Sequence, residues 1–216
     1  MGSKTSIHVT RHPSLWKGLG GLLFLLLFAV SCSESDDEEA DEFSNWQARN
    51  EAYFAALEDS LNRGGSAWKK IKTFTKDEKT ATASTDYIYV KVLEQGSGTA
   101  SPLYTDSVRI SYCGRLIPTV NYPEGSVFDA TYEGSYSAST TGVVDNVVNN
   151  LRDGVATAVQ HMHVGDRWRV FMSYQLGYGT TETLGIPAYS VLIFDLTLLD
   201  FVSGSEPFTP WGSRQW

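Results

Sequence analysis

From Tyr87 onward, apolar and polar residues alternate in a rhythm of two over several short stretches, the spacing of strands whose successive side chains face opposite ways. Tyr87 to Leu93 is rich in β-branched and aromatic residues and is ended by Gly96 and Gly98. Ser107 to Leu116 sets Val108, Ile110 and Tyr112 on one face, with Arg109, Ser111 and Cys113 on the other. Arg167 to Met172 repeats the pattern with Trp168, Val170 and Met172, and Val191 to Leu199 is a strongly apolar strand. A different rhythm precedes them. Trp46, Asn50, Tyr53, Leu57 and Leu61 recur every three or four residues until Gly64 and Gly65, and Ser44 with Gln47 has the spacing of a capping box. The pattern predicts one amphipathic helix over 43–64 and then an aperiodic linker over 65–85.

An isolated helix of this length is marginal in water unless its apolar stripe is covered. Packing on its own domain, self-association into a homodimer and docking to another protein all remain open for it. The strands number about five, with one short helix before the penultimate strand. The fold class is therefore α+β: an antiparallel sheet wrapped around a short helix and preceded by the amphipathic one.

The N-terminus changes the picture of where the chain works. Lys4, Arg11 and Lys17 lead into the apolar run Leu22 to Val30, a secretory-signal pattern too short for an ordinary membrane span. Ala29, Val30 and Ser31 put small residues directly before Cys32, which resembles the lipobox of bacterial lipoproteins. The resemblance implies a signal peptide over 1–31, lipidation at Cys32 and membrane attachment through that lipid. An acidic tether over 32–42 follows, containing the run Glu34 to Glu39 interrupted only by Ser35. It is similar to the export signal that sends some Gram-negative lipoproteins to the cell surface. The expected location is the outer membrane, displayed outward or otherwise facing the periplasm.

Removing residues 1–31, which hold three basic and no acidic side chains, takes the formal charge from −8 to −11. That field disfavours nucleic acid as a partner. With Cys32 lipidated, Cys113 has no partner within the chain, so a disulfide framework is excluded. His161 and His163 lie two residues apart, a spacing that sends side chains to different faces of a helix, so no metal site and no cofactor are expected.

The remaining motifs carry the chemistry. They are Val127-Phe128-Asp129-Ala130, Leu151-Arg152-Asp153-Gly154-Val155 running to Gly165-Asp166, Gly177-Tyr178-Gly179, Ile186-Pro187 and Leu192-Ile193-Phe194-Asp195. In this order they resemble the FKBP-type peptidyl-prolyl isomerases, over roughly Tyr87 to Phe201. The resemblance implies an isomerase domain over 86–202, acting on proline-containing polypeptides. Tyr178, Asp129, Phe128 and Tyr112 would be its catalytic group, with Leu151, Arg152, Val155, Ile186 and Phe194 binding substrate. The Tyr178 hydroxyl and main-chain amides at Ile186 and Arg152 would hold substrate carbonyls. Two residues depart from the family pattern. Val155 stands where a tryptophan usually forms the pocket floor, and Arg152 stands where isoleucine is usual.

The resemblance implies a folding helper for exported proteins. The departures leave a second reading open, a module that binds proline segments without turnover, and a third is a surface module whose helix and aromatic tail over 203–216 carry the function. Because every matching motif follows Tyr87, the segment before it is expected to be dispensable for the pocket.

Overall fold

A computed structural model describes residues 42–204 and Phe208. Two helices, α1 (Trp46–Ala55) and α2 (Leu57–Arg63), come first. Seven strands follow: β1 (Trp68–Lys72), β2 (Tyr87–Glu94), β3 (Ser107–Arg115), β4 (Val127–Ala130), β5 (Val144–Val147), β6 (Arg167–Met172) and β7 (Leu192–Val202). One further helix, α3 (Asp153–Val159), lies between β5 and β6. The signal, the lipidation site Cys32, most of the acidic tether and most of the aromatic tail lie outside the described residues.

All pairings in the sheet are antiparallel, in the order β1-β2-β6-β7-β3-β4. The strand β3 is its spine. One edge of β3 pairs with β7 along its full length, while the other is divided between β5 at Ser107–Ile110 and β4 at Cys113–Arg115. The expected count of five strands rises to seven because β1 falls in the supposed linker and β5 is only four residues long, too short to show a period.

Two cross-strand rows explain what the alternation encodes. Val90, Val170, Phe194 and Gly114 share one row, and Trp168, Leu196 and Tyr112 another, on the face that receives α3. Every residue of α3 from Gly154 to Val159 is buried. The next row, Tyr89, Phe171 and Ile193, points the other way and is buried too, because the N-terminal segment covers it. Trp68 stacks on Phe171 at 5.6 Å, and Phe54 meets Tyr89 edge-on at 5.2 Å.

The N-terminal segment thus differs from its sequence-based expectation in two ways, and its packing follows one of the readings left open. Its helix is interrupted at Ala56, and Ser44 does not cap it; the N-cap is Asn45 in the left-handed region at φ 50°, with no side-chain bond. Residues 65–85 are no free linker, since β1 pairs with β2 and Thr73, fully buried, bonds Thr157 of α3 at 3.3 Å. Finally, Trp46, Phe54 and Leu57 belong to the same core as the sheet. Of the apolar stripe, Trp46, Asn50 and Leu57 are buried and Tyr53 and Leu61 are half-buried.

On β3 the supposed outer face is also closed. Arg109 makes a two-pronged pair with Asp145, both bonds 2.6 Å, and lies 4.5 Å from the Phe208 ring. Ser111 bonds Thr141 and Thr131, and Cys113 is buried with its thiol pKa raised, chiefly by desolvation.

Helix α2 is tied to the sheet by one carboxylate, Glu58, which accepts from Lys70 of β1 and from the Tyr89 hydroxyl of β2. These bonds, that of Lys70 first, hold the Glu58 carboxyl below its usual range. A folded-state pKa below the unfolded one gives stability that is present above the unfolded value, and that stability is lost as pH falls through the folded value. Glu58→Gln is therefore expected to flatten the drop in thermal midpoint below about pH 4.5. Identical acid limbs for the two proteins would show that the carboxylate adds nothing.

Candidate active site

The site grows from a bulge. Arg115 pairs with Val127 and Gly114 with Asp129, which leaves Phe128 as one extra residue on β4. An extra residue breaks the alternation of faces and re-aims a side chain. Here the Phe128 ring crosses over Gly114, where an added Cβ would lie 2.6 Å from ring carbon Cζ, while Asp129 on the same short strand reaches the Tyr112 hydroxyl at 2.6 Å. Neighbouring residues of one strand therefore serve one site. A glycine inside a strand pattern is the signal that could have pointed to Gly114.

Phe194, in the same row as Gly114, joins the aromatic side chains. Its ring lies 5.7 Å from Tyr112 and 5.5 Å from Phe128, each inclined edge to face, the arrangement aromatic quadrupoles favour. Burial first, and then the bond to Asp129, raises the Tyr112 hydroxyl above the ordinary tyrosine range. It stays protonated and acts as a donor that orients Asp129.

The segment after β6 brings in Tyr178. A Cβ on Gly177 would lie 2.8 Å from Leu192 Cδ1, which would have to shift, and Gly179 takes a positive φ of 79°. Between them Tyr178 is half-buried and, like Phe128 and Leu151, packs against the core that contains Phe194, Val155 and Ile186. Its hydroxyl bonds no other described residue. The exposed Arg152 guanidinium stands 5.0 Å from the Tyr178 ring centroid. This contact was not legible in the sequence, since 26 positions separate the two residues.

The two expected main-chain donors part company. The Ile186 amide closes a turn by donating to the Thr183 carbonyl at 2.8 Å, and the Thr183 amide returns the bond at 3.1 Å, so Ile186 contributes its buried side chain and not a free N–H. The Arg152 amide precedes α3 and bonds no other described residue. A free hydroxyl at Tyr178 and a free amide at Arg152 thus flank an aromatic and aliphatic core. Such a site can hold a planar peptide by its carbonyls and surround its middle with apolar groups.

The corner that follows Ile186 is held from outside the expected domain. Trp46 Nε1 donates to Ser190 Oγ at 2.8 Å, and Ser190 Oγ donates to the Pro187 carbonyl at 2.6 Å. Asn50, fully buried, accepts from the Val191 amide at 2.8 Å and donates to the Trp46 carbonyl at 2.7 Å. Nothing in the local sequence links these residues, because more than 140 positions separate them.

Among the described residues no three His, Cys, Asp or Glu side chains group as metal ligands. His161 Nδ1 lies 2.8 Å from the Thr157 carbonyl, and His163 Nδ1 lies 3.7 Å from Asp166.

An antiparallel sheet packed on one short helix thus carries a cluster of three aromatic rings together with two free hydrogen-bond donors. Residues 98–199 match the family model for the FKBP-type peptidyl-prolyl cis-trans isomerase, and this part of the chain belongs to that family. The macrophage infectivity potentiator of Trypanosoma cruzi is 36% identical over 115 residues, 53% of this chain and 53% of that one. FkpA of Escherichia coli (strain K12), an FKBP-type peptidyl-prolyl cis-trans isomerase, is 28% identical over 175 residues, 80% of this chain and 60% of that one. The crystal structure of FkpA from Escherichia coli shares the fold, with a TM-score of 0.53 at 24% identity over 74% of this chain and 62% of that one. The outer membrane protein MIP of Legionella longbeachae is 32% identical over 110 residues, 50% of this chain and 42% of that one. The chain thus spans about half the length of the curated relatives it matches.

Proposed function

We propose that the protein is a peptidyl-prolyl cis-trans isomerase that helps exported or cell-envelope polypeptides to fold. The observation that carries this reading is the pairing of two free donors, the Tyr178 hydroxyl and the Arg152 amide, with the ring cluster Tyr112, Phe128 and Phe194. An X-Pro bond turns slowly because its partial double bond must be lost in the twisted state. The planar amide is the more charge-separated form, so an apolar surround penalises it more than the twisted one. No proton moves in this scheme. Leu151, Val155 and Ile186 would complete the apolar wall, and Asp129 would set the rim through Tyr112.

The pattern around Cys32 supports anchoring by lipid to the outer membrane of a Gram-negative bacterium, and the acids beside it support display at the surface. The name of the outer membrane protein MIP of Legionella longbeachae agrees with work in the cell envelope. We assign the N-terminal helices to the domain and not to a dimer. Val155, in place of an aromatic floor, favours a second reading in which proline segments bind without turnover.

Isomerisation of X-Pro peptides followed by NMR exchange separates the two readings. Turnover is expected, nearly flat between about pH 6 and 8, since the scheme uses fixed donors. Tyr178→Phe is expected to lower kcat/KM by about 3- to 10-fold, the worth of one neutral hydrogen bond. Binding with no catalysed exchange at any pH would establish the second reading, and a bell-shaped profile would point to a titrating group instead.

A further inference from the structure

We propose that Arg152 is a specificity-determining residue that makes the site prefer proline flanked by an acidic residue. The inference deepens the isomerase reading and rests on it for the direction in which substrate lies.

Arg152 presents two groups to one rim. Its main-chain amide, at the entry to α3, is one of the two free donors of the site. Its guanidinium reaches over the ring of Tyr178, 5.0 Å from the centroid, and the hydroxyl of that ring is the other free donor. A peptide held by its carbonyls between these donors brings the side chains beside its proline within reach of the guanidinium. Stacking on an aromatic face leaves the guanidinium edge, with its forked N–H groups, open to a carboxylate.

The charge is also available. Arg152 forms no ion pair among the described residues, whereas other arginines of the domain are committed: Arg109 to Asp145, Arg169 and Arg115 to Asp195, and Arg167 to Glu94. Neither Asp129 nor Asp153 forms an ion pair with it. Asp129 is turned toward Tyr112, and Asp153 opens α3 without pairing to Arg152. An exposed cation without an ion pair beside Tyr178, on a chain of net negative charge, selects by attracting a carboxylate and by repelling lysine at the same place.

The test uses the full-length protein in a non-ionic detergent with two sets of short peptides. One set varies the residue before proline among Glu, Leu and Lys, and the other varies the residue after it. Catalysed exchange is read by NMR at about 20 mM and 500 mM salt, and binding of the same peptides is titrated in parallel. In at least one set the Glu peptide is expected to exceed the Lys peptide by about 3- to 10-fold in kcat/KM at low salt, in line with one attraction and one repulsion at an exposed site. The ratio should shrink at high salt, fall to near one in Arg152→Ile and survive in Arg152→Lys. Absolute rates are free to change, because the ratio is the readout.

A ratio near one in both sets, or a ratio unchanged by Arg152→Ile, overturns the proposal. If no peptide is turned over, the isomerase reading fails, and the ratio of binding constants decides the charge preference by the same limits. If nothing binds either, both fall.

Discussion

A chain that begins at Thr85, without α1, α2 and β1, is expected to stay unfolded, whereas one that begins at Glu42 is expected to fold cooperatively. The segment between them is a working part of the core. Trp46, Phe54 and Leu57 are 7%, 3% and 5% exposed. Burial of each contributes about 1.5–3 kcal/mol, and the three together about 5–9 kcal/mol, against a total of about 5–15 kcal/mol for an ordinary domain. Truncation would also bare the Tyr89, Phe171 and Ile193 row, strip β2 of one of its two neighbours and leave the Val191 amide without Asn50. Circular dichroism and urea unfolding of the two chains check this. A cooperative transition of equal midpoint in both would return the N-terminal segment to the status of an accessory.

The second large effect is expected at Gly114. A methyl group there meets Phe128 at 2.6 Å and Phe194 at 3.0 Å, and the ring of the half-exposed Phe128 is the part that can yield. Gly114→Ala should swing that ring away from Phe194 and lower kcat/KM by about 10- to 100-fold, near the worth of one apolar pocket contact. Phe128→Ala should cost a similar factor and some stability. The two losses should not add: once the ring is absent, the methyl group has nothing to displace, and Gly114→Ala on the Phe128→Ala background should cost little more. Losses that multiply in the double variant would mean that Gly114 acts through some other contact.

How much of this was legible in the sequence differs element by element. Alternation on β3 and β6, the β-branched and aromatic content of β2 and the apolar run of β7 locate the long strands, although the burial of both faces does not show in these patterns; the motifs name Phe128, Asp129, Phe194 and Tyr178, and the family resemblance adds Tyr112. β1 was not legible, since Trp68–Lys72 carries three lysines and looks like a solvated segment until its partner is known. The bulge at Phe128 was hidden because it depends on a register between two strands, which a single strand's sequence does not contain. The tie from Trp46 and Asn50 to residues 187–191 was hidden for the same reason at longer range. The helix periodicity shows that α1 has an apolar stripe; what that stripe covers is fixed only by the packing.

That tie gives the domain a thermodynamic reciprocity. The stretch from Ile186 to Val191 is shared: one end contributes the buried Ile186 side chain, and the other is held by Trp46 and Asn50 of α1. Docked and undocked arrangements of the helix therefore differ in how firmly this stretch is held. Any peptide that binds the docked arrangement more tightly than the undocked one must strengthen helix docking by the same factor, because the two equilibria close a single cycle. The N-terminal helix is then coupled to ligand occupancy although no side chain of α1 need touch the ligand.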